Sequence, residues 1–277
     1  MSGAFDRRAY LERIGLDEAP RPTLAGLASL QWAQLTAIPF ENLDIALGRR
    51  IDPTPDAVFA KLVTRKRGGY CHENNGLLLQ ALAAFDFQAR PLTARVMQGP
   101  DSPVTGKTHT LCLVTLPEGQ FLADAGFGAQ TPRLPLQLVD GFEGSRGTLR
   151  WRVDIDPDFG WRLSILEKGG WKRLYCFDLN AVHPADIALS NHWSCSHPES
   201  LFTQGPLAVK HMEGGRNVLV AGRIGSHRGE RVKTQVLAGL DSLRTQLEQD
   251  FDLTLDAEEA ELTLLAQALV ASRRREA

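Results

Sequence analysis

Residues 67 to 77 read Arg67-Gly68-Gly69-Tyr70-Cys71-His72-Glu73-Asn74-Asn75-Gly76-Leu77, so a glycine pair follows a basic segment and an apolar, helix-patterned stretch follows the thiol. This pattern predicts that Cys71 stands at a helix N-terminus. Such a terminus carries about half a positive charge, which favours the thiolate and lowers the pKa of a cysteine. Because the thiolate is the form that attacks carbonyl carbon, Cys71 is a candidate nucleophile.

Length and charge limit the classes of function. The chain has 277 residues, 43% of them hydrophobic, which is enough for one large globular unit or two to three compact subdomains. Its 31 basic and 33 acidic residues give a formal net charge of -2. That balance offers no basic excess for nucleic acid, so a small-molecule substrate fits better.

The chain start and the cysteines predict a cytoplasmic protein. Residues 1–8 carry charges without an apolar stretch behind them, and no segment approaches the roughly 18 apolar residues of a membrane span, so neither export nor a membrane is expected. The cysteines, Cys71, Cys112, Cys176 and Cys195, lie far apart without C-x-x-C spacing. This spacing argues against a metal site and against a disulfide scaffold, and it favours reduced thiols in a cytosol.

The first 85 or so residues have the period of helices. Thr23 can cap a helix that runs to about Ala37, and Thr54 followed by Pro55 opens another, since proline is tolerated at the first helical position. From about Arg90 onward the apolar period changes to two, which is typical of strands.

The β-rich middle is predicted to end near Cys176, and the tail returns to helix. We expect one helix over Asp241–Asp250 and another that Asp256 caps. The second helix ends in the basic run 273–275, whose cations suit a helix C-terminus.

Cysteine chemistry requires a base and a group that orients it. An imidazole takes and returns the proton, and a third side chain holds that imidazole in the right tautomer. Of the seven histidines, His109 is the best placed, because it opens a strand that leads through a turn into a second strand containing Asp124. Taken singly, a strand histidine is more often satisfied by a backbone partner, and an aspartate before glycine more often shapes a turn.

The turn decides whether these two side chains meet. Pro117 and Gly119 suit the second and fourth positions of a type I turn, in which Leu116 pairs with Gly119. Antiparallel counting then places Asp124 diagonal to His109 on the same face, about 7–8 Å away between backbones. The same register puts Gly126 opposite His109, where it would leave room for the imidazole ring. A turn centred on residues 118–119 would instead put the carboxylate out of reach.

With these residues in place, the chain resembles the arylamine N-acetyltransferase family along nearly its whole length. Four blocks in this order carry the resemblance: Ile38-Pro39-Phe40-Glu41-Asn42-Leu43-Asp44-Ile45; Arg67-Gly68-Gly69-Tyr70-Cys71 with Glu73 and Asn75; Asp124 with Gly126-Phe127-Gly128; and Asn191 through Ser196, Pro198, Ser200 and Phe202.

The resemblance implies an α+β fold with a papain-like or transglutaminase-like catalytic core. It implies a helical N-terminal bundle over residues 1–85 that carries the nucleophile. A central β-barrel over residues 86–195 would carry the histidine and the aspartate, and an α/β lid would follow over residues 196–277.

The resemblance also implies an activity. Acetyl-CoA would acetylate Cys71, and an aromatic amine, hydrazine or N-hydroxyarylamine would then take the acetyl group in a ping-pong reaction. His109 would shuttle protons, and Asp124 would orient it. This chemistry belongs to xenobiotic metabolism and uses acetyl-CoA as a cosubstrate without a permanently bound cofactor. A homodimer is a candidate assembly.

Substrate contacts follow from the same resemblance. Phe40, Val96, Phe127 and Phe202 would surround the acceptor amine, although any one of them, Phe40 above all, could instead be core. The loop Gly126-Phe127-Gly128 would approach the pyrophosphate of CoA. A backbone N–H at Cys71 or near Gly126 would suit the oxyanion. Glu41 and Arg67 would form a buried structural ion pair.

Two positions depart from the family pattern. His72 replaces the usual phenylalanine after the nucleophile, and it either covers the same surface or adds a cation that stabilises the thiolate. We favour the first interpretation, because neighbouring helical residues point about 100° apart. Cys195 replaces a serine, threonine or alanine and would bring a second thiol near the pocket.

Two other functions stay open at this point. A cysteine hydrolase or an amide-forming acyltransferase would use the same three residues, because only the acceptor of the acyl group differs. A binding protein that kept the fold without catalysis is the third interpretation.

Overall fold

The structure is a computed structural model that describes residues 5–98 and 102–275. Residues 1–4, which belong to the chain start discussed above, lie outside these ranges. So do residues 276–277, which end the unit predicted over residues 196–277. Within the described ranges the chain forms eight α-helices and thirteen strands. The α-helices are α1 (Arg7–Ile14), α2 (Leu24–Ala37), α3 (Leu43–Ala46), α4 (Pro55–Phe59), α5 (Cys71–Ala84), α6 (Pro184–Ser196), α7 (Leu240–Phe251) and α8 (Glu259–Arg275).

The strands belong to two antiparallel sheets. The large sheet has the order β5-β4-β3-β2-β9-β8-β7-β6, and the small sheet has the order β1-β10-β11-β12-β13. Their bounds are β1 (Phe40–Glu41), β2 (Gln88–Val96), β3 (Lys107–Leu116), β4 (Gly119–Ala123), β5 (Leu136–Gln137), β6 (Phe142–Arg146), β7 (Leu149–Asp156), β8 (Gly160–Glu167), β9 (Gly170–Phe177), β10 (Ala208–Met212), β11 (Gly215–Val220), β12 (Arg223–Arg228) and β13 (Arg231–Val236).

The predicted N-terminal helices are confirmed. Thr23 caps α2, where its Oγ1 accepts the Gly26 N–H at 3.2 Å, and α2 ends at Ala37 as expected. Pro55 is the first residue of α4, which widens into a π-helical turn over Ala60–Thr64. These helices pack with α5 around a core that includes the fully buried Tyr10.

The large sheet curls so that its end strands β5 and β6 come together, which gives the nearly closed barrel expected for the middle of the chain. Side chains of β3 alternate between two cores. Leu111 and Leu113 point into the barrel, whereas Cys112 and Val114 pack against the helices of the N-terminal part. Helix α5 therefore packs against the face of β3 that carries Cys112 and Val114.

The C-terminal part joins the small sheet to α7 and α8 through a core that includes Leu219, Leu247 and Phe251. The predicted helix over residues 241–250 is confirmed as α7. The predicted cap at Asp256 is wrong, because α8 begins only at Glu259, and the Asp256 carbonyl instead accepts from Arg49. The residue pattern placed no strands in the segment that forms β10–β13, whereas the α/β character that the resemblance implied for residues 196–277 allows for them.

A buried charge network fixes the turn before α5. The predicted ion pair between Arg67 and Glu41 is present at 2.9 Å, and Arg67 also contacts Asp44 at 3.3 Å. Lys61 extends the network with 2.8 Å contacts to Asp44 and Glu73. Burial alone would lower the pKa of Lys61, but the surrounding carboxylates raise it, so the lysine stays charged.

The glycine pair is required by close packing in the same turn. A Cβ on Gly68 would lie 2.4 Å from the carbonyl oxygen of Pro39, and one on Gly69 would lie 2.7 Å from Cβ of Glu73. Glu73 in turn accepts the Tyr70 N–H at 3.1 Å. The glycine pair therefore packs against Pro39 on one side and against Glu73, in the first turn of α5, on the other.

The charge network gives a stability prediction. We expect Lys61→Met to lower the free energy of unfolding by about 3–5 kcal/mol, because it leaves buried carboxylates without their cation. Lys172→Met is the matched control, since Lys172 pairs with Glu167 at 3.9 Å on the surface, and it should cost less than about 1 kcal/mol. Urea unfolding of both variants measures the difference, and equal losses would contradict the structural role of the network.

Candidate active site

Cys71 is the first residue of α5, as the sequence predicts, and only 3% of it is exposed. Its Sγ lies 3.7 Å from the carbonyl oxygen of Thr108, and Thr110 Oγ1 donates to the Cys71 carbonyl at 3.1 Å. His109 stands between these two threonines on β3. Both contacts therefore bring the predicted base beside the predicted nucleophile.

The resting thiol is harder to ionise than a helix N-terminus alone would suggest. Burial raises the pKa of Cys71 to about 12, and the backbone N–H groups of Thr110 and His72 oppose this only in part. The expectation of a lowered pKa is therefore wrong for the resting thiol. A base must take the proton before the sulfur can attack.

The predicted turn and register between β3 and β4 are confirmed. Leu116 pairs with Gly119, and the pairing continues to Cys112 opposite Ala123. One residue further, Asp124 Oδ2 lies 2.8 Å from His109 Nε2, with both side chains buried. An ionised carboxylate can only accept, so Nε2 carries the hydrogen and Nδ1 is left for proton exchange.

Further donors surround the Asp124 carboxylate. Asn75 Nδ2 and the Gly126 N–H donate to Oδ1 at 2.9 and 2.8 Å, and the Tyr175 hydroxyl donates to Oδ2 at 3.0 Å. Burial alone would raise the pKa of Asp124, but His109, Asn75 and Gly126 together lower it. The sequence reading missed Tyr175, because nothing in the spacing of β9 marks one of its side chains as a partner of a residue on β4.

Gly126 is needed for a reason other than the predicted one. A Cβ there would lie 2.7 Å from Asn75 Nδ2 and 3.0 Å from the Cys71 Cα, so glycine lets the loop approach α5. A side chain at Gly126 would collide with Asn75 and Cys71 and not with the imidazole of His109. These contacts therefore do not support the predicted role of Gly126 in making room for that ring. The Gly126 N–H also donates to Asp124, so it is not available as the expected oxyanion donor.

His72 is an uncharged neighbour of the thiol. Burial, together with His109, lowers the pKa of His72 to about 3, and its Nε2 lies 3.3 Å from Ser190 Oγ. The ring is therefore uncharged at neutral pH. The lowered pKa contradicts the hypothesis that His72 stabilises the thiolate with its charge, and the favoured interpretation, in which His72 covers the same surface as the usual phenylalanine, stays a prediction.

Phe127 and Val96, predicted to line the acceptor pocket, lie on the barrel side of the site. The Phe127 ring is 4.9 Å from the rings of both His109 and Tyr175. Val96 pairs with Tyr175 across β2 and β9, which places the two side chains on one face. Gly128, from the same loop as Phe127, is bound through its carbonyl to His211 Nε2 at 2.9 Å.

Phe40 and Phe202 lie on the other side, with their ring centroids 6.0 Å apart. Phe202 also meets the Tyr70 ring at 5.0 Å, and all three belong to the apolar cluster that contains Cys71. Cys195 packs against this cluster too, so the second thiol lies near the site as expected. Aromatic walls thus flank the thiol from two directions.

A metal centre finds no support in these residues. Throughout ranges 5–98 and 102–275, histidine, cysteine and acidic side chains form no group that could hold a metal ion. Within the same ranges no helix combines the length and the apolar character that crossing a bilayer requires.

The chain is similar in sequence to known acetyltransferases. It is 34% identical over 247 residues to the arylamine N-acetyltransferase / N-hydroxyarylamine O-acetyltransferase of Salmonella typhimurium, covering 88% of each chain. It is 35% identical over 257 residues to the arylamine N-acetyltransferase of Mycobacterium bovis, covering 91% of this chain and 90% of the relative. A family model described as N-acetyltransferase matches residues 23–260. The chain belongs to the arylamine N-acetyltransferase family.

Solved structures of arylamine N-acetyltransferases share this fold. The enzyme from Mycobacterium marinum superposes with a TM-score of 0.91 at 32% identity, covering 95% of this chain and all of the other. A structure of the M. marinum enzyme in complex with CoA gives a TM-score of 0.89 at 32% identity, with coverages of 96% and 99%. The family and the enzyme class predicted from the sequence are confirmed.

The approach of the Gly126 loop to α5 can be tested in this N-acetyltransferase. Gly126→Ala should lower the free energy of unfolding by about 1–3 kcal/mol, because the new methyl group overlaps Asn75 and the Cys71 backbone. Gly169→Ala is the control, because Gly169 lies in an exposed turn where a Cβ would meet no neighbouring atom within 4 Å. We expect this variant to change the free energy of unfolding by less than about 0.5 kcal/mol. Chemical unfolding curves that coincide for the two variants would contradict this account of the site.

Proposed function

We propose that this chain transfers the acetyl group of acetyl-CoA to aromatic amines, hydrazines or N-hydroxyarylamines through an acetyl-cysteine at Cys71. The observation that carries the proposal is the buried 2.8 Å contact between His109 and Asp124 beside that thiol. The names of the relatives add arylamines and N-hydroxyarylamines, the M. marinum complex adds CoA, and the hydrazines rest on the family resemblance alone. Acetyl-CoA acts as a cosubstrate, and no permanently bound cofactor is required.

The first half-reaction loads the enzyme. His109 Nδ1 takes the Cys71 proton as the sulfur attacks the thioester carbonyl, so a new S–C bond forms while the oxyanion develops. When the intermediate collapses, the bond to the CoA sulfur breaks, and the imidazolium returns the proton to that sulfur. One thioester is exchanged for another, so the step is nearly isoenergetic and the acetyl-enzyme can persist.

The second half-reaction delivers the acetyl group. The amine nitrogen attacks the acetyl-cysteine, and His109 accepts the proton that the nitrogen loses. Collapse breaks the bond to the Cys71 sulfur, which regains its proton from the imidazolium. Asp124 holds the ring so that Nδ1 faces the chemistry in both halves, and it stabilises the cation each time it forms.

Apolar side chains, most of them aromatic, supply the acceptor site in this proposal. Phe127 and Val96 form one wall beside His109, and Phe40 and Phe202 form another beside Tyr70. Flat apolar walls suit an aromatic ring, which would leave its amine directed at the acetyl-cysteine. As the family resemblance implies, the pyrophosphate of CoA would contact the loop 126–128.

Several finer expectations stay predictions. They are the division into units of residues 1–85, 86–195 and 196–277, the role of the last unit as a lid, the papain-like core, the cytoplasmic location and the homodimer. The contact of the Tyr70 hydroxyl with the side chain of Asn191 on α6 supports a closing role for the segment that begins there.

Loading of the enzyme is tested by intact mass spectrometry after incubation with acetyl-CoA alone. We expect one acetyl group per chain, located on Cys71, and none on Cys71→Ser. Rapid release of CoA without an amine and without a lasting adduct would favour the hydrolase. Neither adduct nor CoA release would favour the binding protein.

The proton path gives a pH prediction. In His109→Asn the thiol keeps its raised pKa of about 12 but loses its base, so the logarithm of the alkylation rate should rise by about one per pH unit from about pH 7 to about pH 10. The parent should react faster near neutral pH, because His109 takes the proton there.

His72→Phe is the control for this experiment, because His72 is uncharged and should leave the pH profile of the parent unchanged. Alkylation by iodoacetamide, followed by mass, measures all three proteins. A plateau near neutral pH in His109→Asn would mean that the helix N-terminus ionises the thiol by itself, which contradicts the proposed path.

A further inference from the structure

Asn42 directly follows the two residues of β1 and is buried, with only 1% of it exposed. It begins α3, at the position where an asparagine side chain usually accepts a hydrogen bond from an N–H of its own helix. Within the described ranges the Asn42 side chain makes no such capping bond. Its amide bonds instead to a segment about 160 residues further along the chain.

That segment is the connection between α6 and β10, residues 197–207, which carries Phe202 and is called the Phe202 segment below. Asn42 Nδ2 donates to the carbonyl oxygens of Phe202 and Gly205, each at 2.8 Å, and its Oδ1 accepts the Leu207 N–H at 2.7 Å. Both sides of the amide are thus used. A reversed amide would place its oxygen against two carbonyl oxygens, so these partners also fix its orientation.

The Phe202 segment has little regular structure of its own. Phe202 lies in a single 3₁₀ turn, Leu201–Thr203, and Ser200 Oγ accepts its N–H at 3.3 Å. Gly205 packs closely against α8, because a Cβ there would lie 2.5 Å from Cβ of Ser272. Asn42 therefore holds the segment directly at the residue whose ring lines the proposed acceptor site.

The same short stretch of chain supplies the neighbouring ring of that site. Phe40 lies two residues before Asn42, and the pairing of Phe40 with Val209 fixes it on the small sheet. The ring centroids of Phe40 and Phe202 are 6.0 Å apart. Residues 40–42 thus provide one ring of the wall and hold the segment that provides the other.

We propose that Asn42 is a positioning residue that determines the affinity for aromatic acceptors by fixing Phe202 beside Phe40. The inference rests on the proposed function, in which these two rings contact the acceptor. Without the amide, the carbonyl groups of Phe202 and Gly205 lose their donor, and the segment shifts to satisfy them elsewhere. An acceptor without a ring does not depend on this wall, so the effect is confined to aromatic amines.

The test compares two buried asparagines. Asn42→Ser removes the two donated bonds and keeps a residue type that suits the start of α3. Asn217→Ser is the matched control, because Asn217 is only 3% exposed and its Nδ2 also donates to a backbone carbonyl, that of Asp250, at 2.9 Å. That bond joins β11 to α7 rather than to the Phe202 segment.

Binding of 4-fluoroaniline without acetyl-CoA, followed by fluorine NMR, gives a result that does not depend on acetyl transfer. We expect the Kd of Asn42→Ser to be about fivefold above that of the parent, and the Kd of Asn217→Ser to stay within about twofold. In turnover, kcat/KM for 4-fluoroaniline should fall about fivefold in Asn42→Ser, whereas kcat/KM for hydrazine, which has no ring, should change less than about twofold.

Intact mass after incubation with acetyl-CoA alone separates this proposal from the proposed function. We expect one acetyl group on Cys71 in the parent and in both variants. Absence of the acetyl group from the parent would count against the proposed function, and the binding measurement would still decide the role of Asn42.

Asn42→Asp, which can accept from Leu207 but donates to neither carbonyl, repeats the test if Asn42→Ser does not fold. Parental affinity for 4-fluoroaniline in the Asn42 variant, an equal loss in Asn217→Ser, or an equal fall in kcat/KM for hydrazine would each overturn the proposal. So would the absence of saturable binding to the parent. Failure of both Asn42 variants to fold would assign this residue to folding alone and would overturn the proposal as well.

Discussion

The Asp124 carboxylate is the point at which the helical part and the large sheet of this protein meet. It is buried, and donors reach it from α5 through Asn75, from β3 through His109 and from β9 through Tyr175. A buried carboxylate without such donors would be costly, so the three elements are held at hydrogen-bonding distance of one another. The position of the imidazole beside the thiol is a consequence of this arrangement.

Burial of the site has opposite effects on its groups. It raises the pKa of Cys71 and lowers that of His72, so the thiol keeps its proton and the second imidazole stays neutral. In the proposed reaction the same burial would keep water away from the acyl-cysteine, which would favour transfer to an amine over hydrolysis. The charge that the proposed chemistry needs is therefore generated only when His109 takes the proton, next to an Asp124 that is already ionised.

Local rules allowed part of this site to be predicted from the sequence. The helix start at Cys71 follows from the glycine pair and the apolar stretch, and the meeting of His109 with Asp124 follows from Pro117 and Gly119 in one turn. These features depend on residues close together in the chain. The blocks shared with the family then supplied the fold class, which local patterns had only outlined.

What could not be predicted depends on packing between distant segments. Tyr175 comes from a strand 51 residues beyond Asp124, and Lys61 meets Glu73 across the turn before α5. The charge state of His72 is decided by how much solvent reaches it, and the requirement for Gly126 by how closely its loop approaches α5. The order and spacing of residues along the sequence do not show these distances.

The orientation of the His109 ring is the most direct test of the account. Imidazole nitrogen chemical shifts, assigned by comparison with His109→Asn, report which ring nitrogen carries the proton. We expect the proton on Nε2, with a strongly hydrogen-bonded signal from its contact with Asp124, and Nδ1 on the side of Cys71. A neutral ring with its only proton on Nδ1 would contradict the account, because the imidazole would then donate no hydrogen bond to Asp124 and the thiol would face no base.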